Sequence, residues 1–170
     1  MIRVVRKLAL VSLLLLPLLM AIGAEKAPSV NVQTIDGQTV ALDTMLIKGP
    51  TIVDFWATWC TPCKEALPGL DELYGKYKTR GLQVFAVAVD GPKTMSKVQP
   101  YVIGEGYNFT VYLDPSNDAL KAFGGKSVPH TVLVNQKGEV VYTKFGNLPG
   151  DEAMLEKEIE KLLPEKEDKK

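Results

Sequence analysis

The stretch Thr51–Cys63, TIVDFWATWCTPC, decides how the rest of the chain is read. From Thr51 to Trp56 it is almost continuously apolar and is entered through Gly49-Pro50, and a run of this kind bounded by turn residues reads as a strand buried on both faces. It ends in two cysteines separated by two residues. Beyond Cys63 the apolar positions Leu67, Leu70, Tyr74 and Tyr77 recur at steps of three and four, the spacing of an amphipathic helix. The predicted order is strand, dithiol, helix, with Cys60 at or near the helix N-cap.

That position has chemical consequences. The first turn of a helix leaves backbone N–H groups unpaired and carries the positive end of the macrodipole, so a thiolate is favoured there. Such a site lowers a cysteine pKa from about 8.5 into the range of roughly 3.5 to 7.5. One pKa unit corresponds to about 1.4 kcal/mol, so a few N–H contacts suffice. Pro62 in the first turn loses no helical hydrogen bond and stiffens the ring that a Cys60–Cys63 disulfide would close. The pair reads either as a structural staple or as a redox centre. The short loop favours the second, because closing so few residues removes little entropy from the unfolded chain.

At 170 residues the chain holds one domain with a sizeable core and no internal repeat. Arg3, Arg6 and Lys7 precede the apolar run Leu8–Ile22, and Ala21, Gly23 and Ala24 follow as small residues, so residues 1–24 read as a secretory signal peptide. An uncleaved membrane anchor is the alternative, disfavoured because the run falls short of the roughly 20 residues a span requires. Residues 25–163 form the domain and residues 164–170 a solvated, charged tail. Of 20 basic and 20 acidic residues the leader takes three and none, leaving 17 against 20. No basic stripe appears in this mildly acidic remainder, which argues against a nucleic-acid partner. Export places both cysteines in an oxidising compartment.

Along the domain, VNVQTIDGQTVAL (residues 30–42) alternates around Asp36-Gly37, the signature of a hairpin. A short segment, Asp43–Lys48, leads into the Thr51 strand. A helix over Cys63–Lys78, kinked at Pro68, ends at Gly81. Leu82–Val89 is a second buried strand, parallel to the first. A helix near Thr94–Ile103, weakened by Pro100, precedes a Gly104–Gly106 turn, then a strand at Phe109–Leu113 and a short helix at Ala119–Phe123. Thr131–Val134 and Val140–Phe145 form an antiparallel hairpin. The last helix starts near Asp151, buries Leu155, Ile159 and Leu162, and stops at Pro164.

These residues carry a likeness. VDFWATWCTPCK, Pro68 five residues after the second cysteine, Val128-Pro129 before a strand, the Gly138 hairpin and Phe145-Gly146 before the last helix together resemble the thioredoxin superfamily over nearly all of Val30–Leu163. The leader, the N-terminal hairpin, FWATWC and the insertion after Asp90 are similar to exported thiol-disulfide oxidoreductases of the TlpA/ResA type. The resemblance implies an α/β fold, a three-layer sandwich whose central mixed sheet has helices on both faces, with an extra N-terminal hairpin and a central insertion. It implies a cis Pro129 beside the dithiol, with Val128 offering backbone groups to an extended substrate.

The implied chemistry is thiol–disulfide exchange, with the Cys60 thiolate attacking and Cys63 resolving. Exposure at the helix start suits Cys60 to its task, and a core-facing place suits Cys63. Asp54, the one carboxylate in the apolar strand, is the candidate proton acceptor for Cys63, since burial raises a carboxyl pKa. Two departures from the family pattern stand beside it: Ala86 occupies the place of a neighbouring-strand lysine, and Ala66, next to Glu65, that of a helix glutamate. Trp56 and Trp59 are expected to pack around the dithiol, Trp59 giving substrate an apolar surface. Thr61-Pro62 tunes the potential and borders the substrate, while Lys64 and Glu65 form a solvated helix face. His130, the lone histidine, is placed to modulate Cys60. The expected partners are protein thiols and disulfides in a periplasmic or extracytoplasmic compartment, apocytochrome cysteines among them, and an upstream electron donor. No cofactor beyond the Cys60–Cys63 pair is expected, the chain acts as a monomer, and the membrane is involved only if the leader stays. A second reading, from another class, is a copper or zinc site formed by Cys60, Cys63 and His130. A peroxidase would want Pro and Thr upstream of a single attacking cysteine, a pattern this chain lacks.

Overall fold

The computed structural model describes residues 25–164. The expected signal peptide and all but the first residue of the tail lie outside the described residues. Seven strands form one sheet in the order β2-β1-β5-β4-β3-β6-β7. These are β1 (Asn31–Thr34), β2 (Thr39–Ala41), β3 (Thr51–Trp56), β4 (Gln83–Ala88), β5 (Thr110–Leu113), β6 (His130–Val134) and β7 (Val140–Phe145). β3, β4 and β5 run parallel, and every other neighbour pair is antiparallel. The apolar stretch thus lies in the middle of the sheet, with all six residues of β3 buried. The β1–β2 hairpin turns where Gly37 adopts φ +85°, a conformation glycine takes without steric cost.

The helices are α1 (Asp43–Leu46), α2 (Thr61–Tyr77), α3 (Val98–Glu105), α4 (Asp118–Ala122) and α5 (Asp151–Leu162). Because side chains alternate across a strand, Asp54 and Trp56 share one sheet face and Val53 and Phe55 the other. α2 and α5 lie together on the first face, joined where Tyr77 Oη donates to Glu156 and Glu160 at 2.8 Å each. Trp56 meets Tyr101 of α3 there, with ring centroids 5.6 Å apart. On the second face Phe55 meets Phe123 at the end of α4, and Tyr112 of β5 reaches Met45 of α1. Three layers result.

Four local readings change. Asp43–Leu46 is helical, and α2 begins at Thr61 because Cys60 caps it. The segment after Thr94 starts as a 3-10 turn, Met95–Lys97, and becomes α-helix at Val98; Pro100 sits in that first turn, where its missing N–H has no partner to lose. α3 then runs through Gly104 and ends at Gly106 in the left-handed conformation. In the last helix Leu162 is only half-buried, and Leu163, just past the helix end, fills the core instead.

Candidate active site

β3 delivers the chain to a short loop, Ala57–Trp59, and α2 begins immediately after it. The loop is clamped from beneath by Asp90, fully buried just past the end of β4, whose carboxylate accepts from both the backbone N–H of Thr58 (2.8 Å) and its hydroxyl. The Cys60 N–H donates to the Ala57 carbonyl at 3.0 Å. Cys60 is the N-cap residue of α2, extended at φ −92° and ψ 100°, and its Sγ accepts a hydrogen bond from the Cys63 N–H at 3.3 Å. Pro62 occupies the first turn.

Cys60 and Cys63 form a disulfide across a Cα–Cα distance of 5.3 Å. Cys63 is 1% exposed, as its core-facing place demands, but Cys60 is only 6% exposed in this oxidised state. The open position expected of Cys60 belongs instead to its neighbours: Trp59 is 61% exposed, and Thr61 and Pro62 also face solvent. A sulfur bonded to its partner turns inward over the helix start, while the ring beside it stays out. Trp56 is fully buried in the same core cluster as the two cysteines and exposes no surface to a substrate.

The Val128–Pro129 peptide bond is cis. Two hydrogen bonds tie this turn to the helix start: Gly146 N–H donates to the Pro129 carbonyl at 2.9 Å, and the next residue, Asn147, donates from Nδ2 to the Pro62 carbonyl at 3.4 Å. Asn147 is a connection that sequence reading missed, as it missed the Asp90 clamp. The signal available for Asp90 was its place just past the C-terminal end of a parallel strand, where open α/β sheets gather their sites.

Asp54 is 3% exposed and accepts from the Thr131 hydroxyl at 2.7 Å. Burial pushes its carboxyl up to about 7, against the opposing pull of the Thr131 hydrogen bond and the Lys144 charge. Ala86 is its register partner on β4, so that side supplies no cation. Glu65 is exposed and Ala66 buried, leaving α2 without an inward acid near Cys63. Lys64 is half-buried, its Nζ 6.0 Å from the centre of the Tyr101 ring rather than free in solvent.

His130 is fully buried on the opposite face from Asp54. Its ring stacks between Phe55, at 5.7 Å, and Phe145, at 4.5 Å, while Nε2 lies 3.0 Å from the Phe123 carbonyl. Burial holds its pKa below 6.5, partly offset by the carbonyls of Phe123 and Lys144. The imidazole is packed within an aromatic row. Among the described residues no three His, Cys, Asp or Glu side chains gather in a metal-binding group, and the alternative set of Cys60, Cys63 and His130 is not assembled.

A family model for the AhpC/TSA family matches residues 24–143. Thiol-disulfide oxidoreductase ResA of Halalkalibacterium halodurans is 31% identical over 146 residues, covering 86% of this chain and 80% of that protein. ResA of Bacillus anthracis is 32% identical over 145 residues, covering 85% and 80%. Among solved structures, a Chlorobium tepidum protein assigned as a thiol:disulfide interchange protein DsbE aligns with a TM-score of 0.74 and 29% identity over 82% of this chain and 96% of that one. A thiol:disulfide interchange protein from Bacteroides aligns with a TM-score of 0.68 and 26% identity over 85% and 92%. Family match, relatives and sheet agree with the cysteine pair at the head of α2, and this chain therefore belongs to the AhpC/TSA family, as a thioredoxin-like thiol-disulfide oxidoreductase.

Proposed function

We propose that the chain is an exported reductant of protein disulfides, with Cys60 as the attacking and Cys63 as the resolving sulfur. The observation that carries this reading is the 3.3 Å hydrogen bond from the Cys63 N–H to Cys60 Sγ at the N-cap of a 17-residue helix. On reduction the same N–H, with the helix dipole behind it, stabilises the Cys60 thiolate. That thiolate attacks one sulfur of a substrate disulfide and expels the other as a thiolate, leaving a mixed disulfide. Cys63 then gives its proton to Asp54 and attacks Cys60 Sγ, which reforms the Cys60–Cys63 bond and releases the second substrate thiolate. An external dithiol must return two electrons before the next cycle.

Trp59, Thr61, Pro62, Val128 and Pro129 form the substrate-facing rim in this reading, with Val128 pairing to an extended peptide. Export to a periplasmic or extracytoplasmic compartment rests on the basic and apolar leader, and apocytochrome cysteines are the substrate class that the resemblance favours. Insulin reduction with dithiothreitol tests the chemistry: it should proceed with the wild type and vanish in Cys60→Ser. Cys63→Ala should retain the first attack and accumulate mixed disulfides. Full insulin reduction by Cys60→Ser would remove Cys60 from the attacking role.

A further inference from the structure

A carboxylate buried in a sheet needs a positive charge or a dense set of donors if it is to ionise at all. Asp54 has one strong donor, Thr131, and β4 places only Ala86 beside it. The register continues the row in the other direction: Asp54 pairs with Thr131, and Thr131 pairs with Lys144 on the edge strand β7. All four side chains therefore lie on one sheet face. Lys144 points inward, with its side chain only 11% exposed, an unusual state for a lysine on an edge strand. Its Nζ lies 3.4 Å from Asp151 Oδ2, itself 13% exposed at the first residue of α5. Asp151 in turn accepts from the Leu148 N–H at 2.7 Å, so it is held in place.

We propose that Lys144 is the positioning residue for the acid–base step at Asp54: through Thr131 it supplies the cation that β4 does not, and Asp151 is the counter-charge that limits its pull. This rests on the proposed role of Asp54 as proton acceptor for Cys63. Among the described residues the charge felt at Asp54 is that of Lys144 on β7, and Asp151 on α5 is the ion-pair partner of that lysine. Tyr142 on β7 also lies in the field of Asp151 and of Glu158 on α5, and burial together with these charges raises its phenol pKa.

Removing the lysine charge raises the pH at which Asp54 ionises, and removing the Asp151 charge lowers it. The test follows the Asp54 side-chain carboxyl by 13C NMR in the full-length oxidised protein, with the resonance assigned by its loss in Asp54→Asn. In Lys144→Met the midpoint should move up by about one pH unit, in Lys144→Arg it should stay, and in Asp151→Asn it should move down. Opposite shifts from two neighbouring substitutions cannot come from general loosening. The pH profile of the resolving step, measured in single turnover from a preformed mixed disulfide at Cys60, should shift in the same directions. An NMR midpoint that ignores Lys144→Met and Asp151→Asn overturns the proposal. Midpoints that move while the resolution profile stays put leave the electrostatic link standing and remove Asp54, and Lys144 with it, from the reaction.

Discussion

Asp54 sets a stability dependence as well as a proton route. Its folded-state value of about 7 lies above the ordinary 3.8, so the native protein holds a proton that the unfolded chain has already lost in between. Stability from this group is intact below 3.8 and declines as pH rises toward 7, and the full cost is present above it. Asp54→Asn keeps an acceptor for Thr131 and removes that dependence. Urea unfolding at pH 4.5 and 8 should show the variant gaining on the wild type by about 2–4 kcal/mol between the two conditions. The same variant should slow resolution near neutral pH, and unchanged single-turnover rates across that range would exclude Asp54 from the mechanism. Trp59 is a contrasting case: a ring 61% exposed contributes little to folding, so Trp59→Ala should change stability by less than about 0.5 kcal/mol while raising KM for a protein disulfide. The acid in an apolar strand is legible in the sequence, because a lone carboxylate there breaks the hydrophobic pattern. His130 is not, for the opposite reason: the sequence shows a titratable ring but not the two aromatic rings between which it is packed.

At the scale of elements, α2 carries the chemistry at its start and is anchored at its other end. Tyr77 is buried in its last turn and donates to two carboxylates of α5. Tyr77→Phe should cost about 1–2 kcal/mol in chemical denaturation and leave insulin reduction intact, because the dithiol lies at the far end of the helix. β3 is held as closely where it begins: a side chain at Gly49 would meet the backbone carbonyl of Gly81, which cannot yield as a flexible side chain would. Gly49→Ala should therefore lower stability by about 1–3 kcal/mol, read as a fall in Tm. Strands and long helices are legible from periodicity. The helical turn at Asp43 and the 3-10 entry to α3 are not, since elements so short are decided by what they pack against.

For the molecule as a whole, the strand order gives β7 an outer edge, and the chain before β1 covers part of it. Val140 donates to the Glu25 carbonyl at 2.7 Å, Ala27 donates to Gly138 at 2.8 Å, and Lys26 bridges to Glu139. Deleting residues 25–28 should cost about 1–3 kcal/mol in thermal or urea unfolding, with exchange activity retained, as these backbone groups lose their partners. The amino-acid sequence by itself determined the central strand, the dithiol at a helix start and the α/β class, because hydrophobic period and helix-end chemistry are local properties of consecutive residues. Only the tertiary structure decided that Thr131 and Lys144 stand in one row with Asp54, that Asp90 holds Thr58, and that His130 belongs to an aromatic stack. Strand register brings together residues far apart in the chain, and a shift of one position would send each of these side chains to the other face of the sheet.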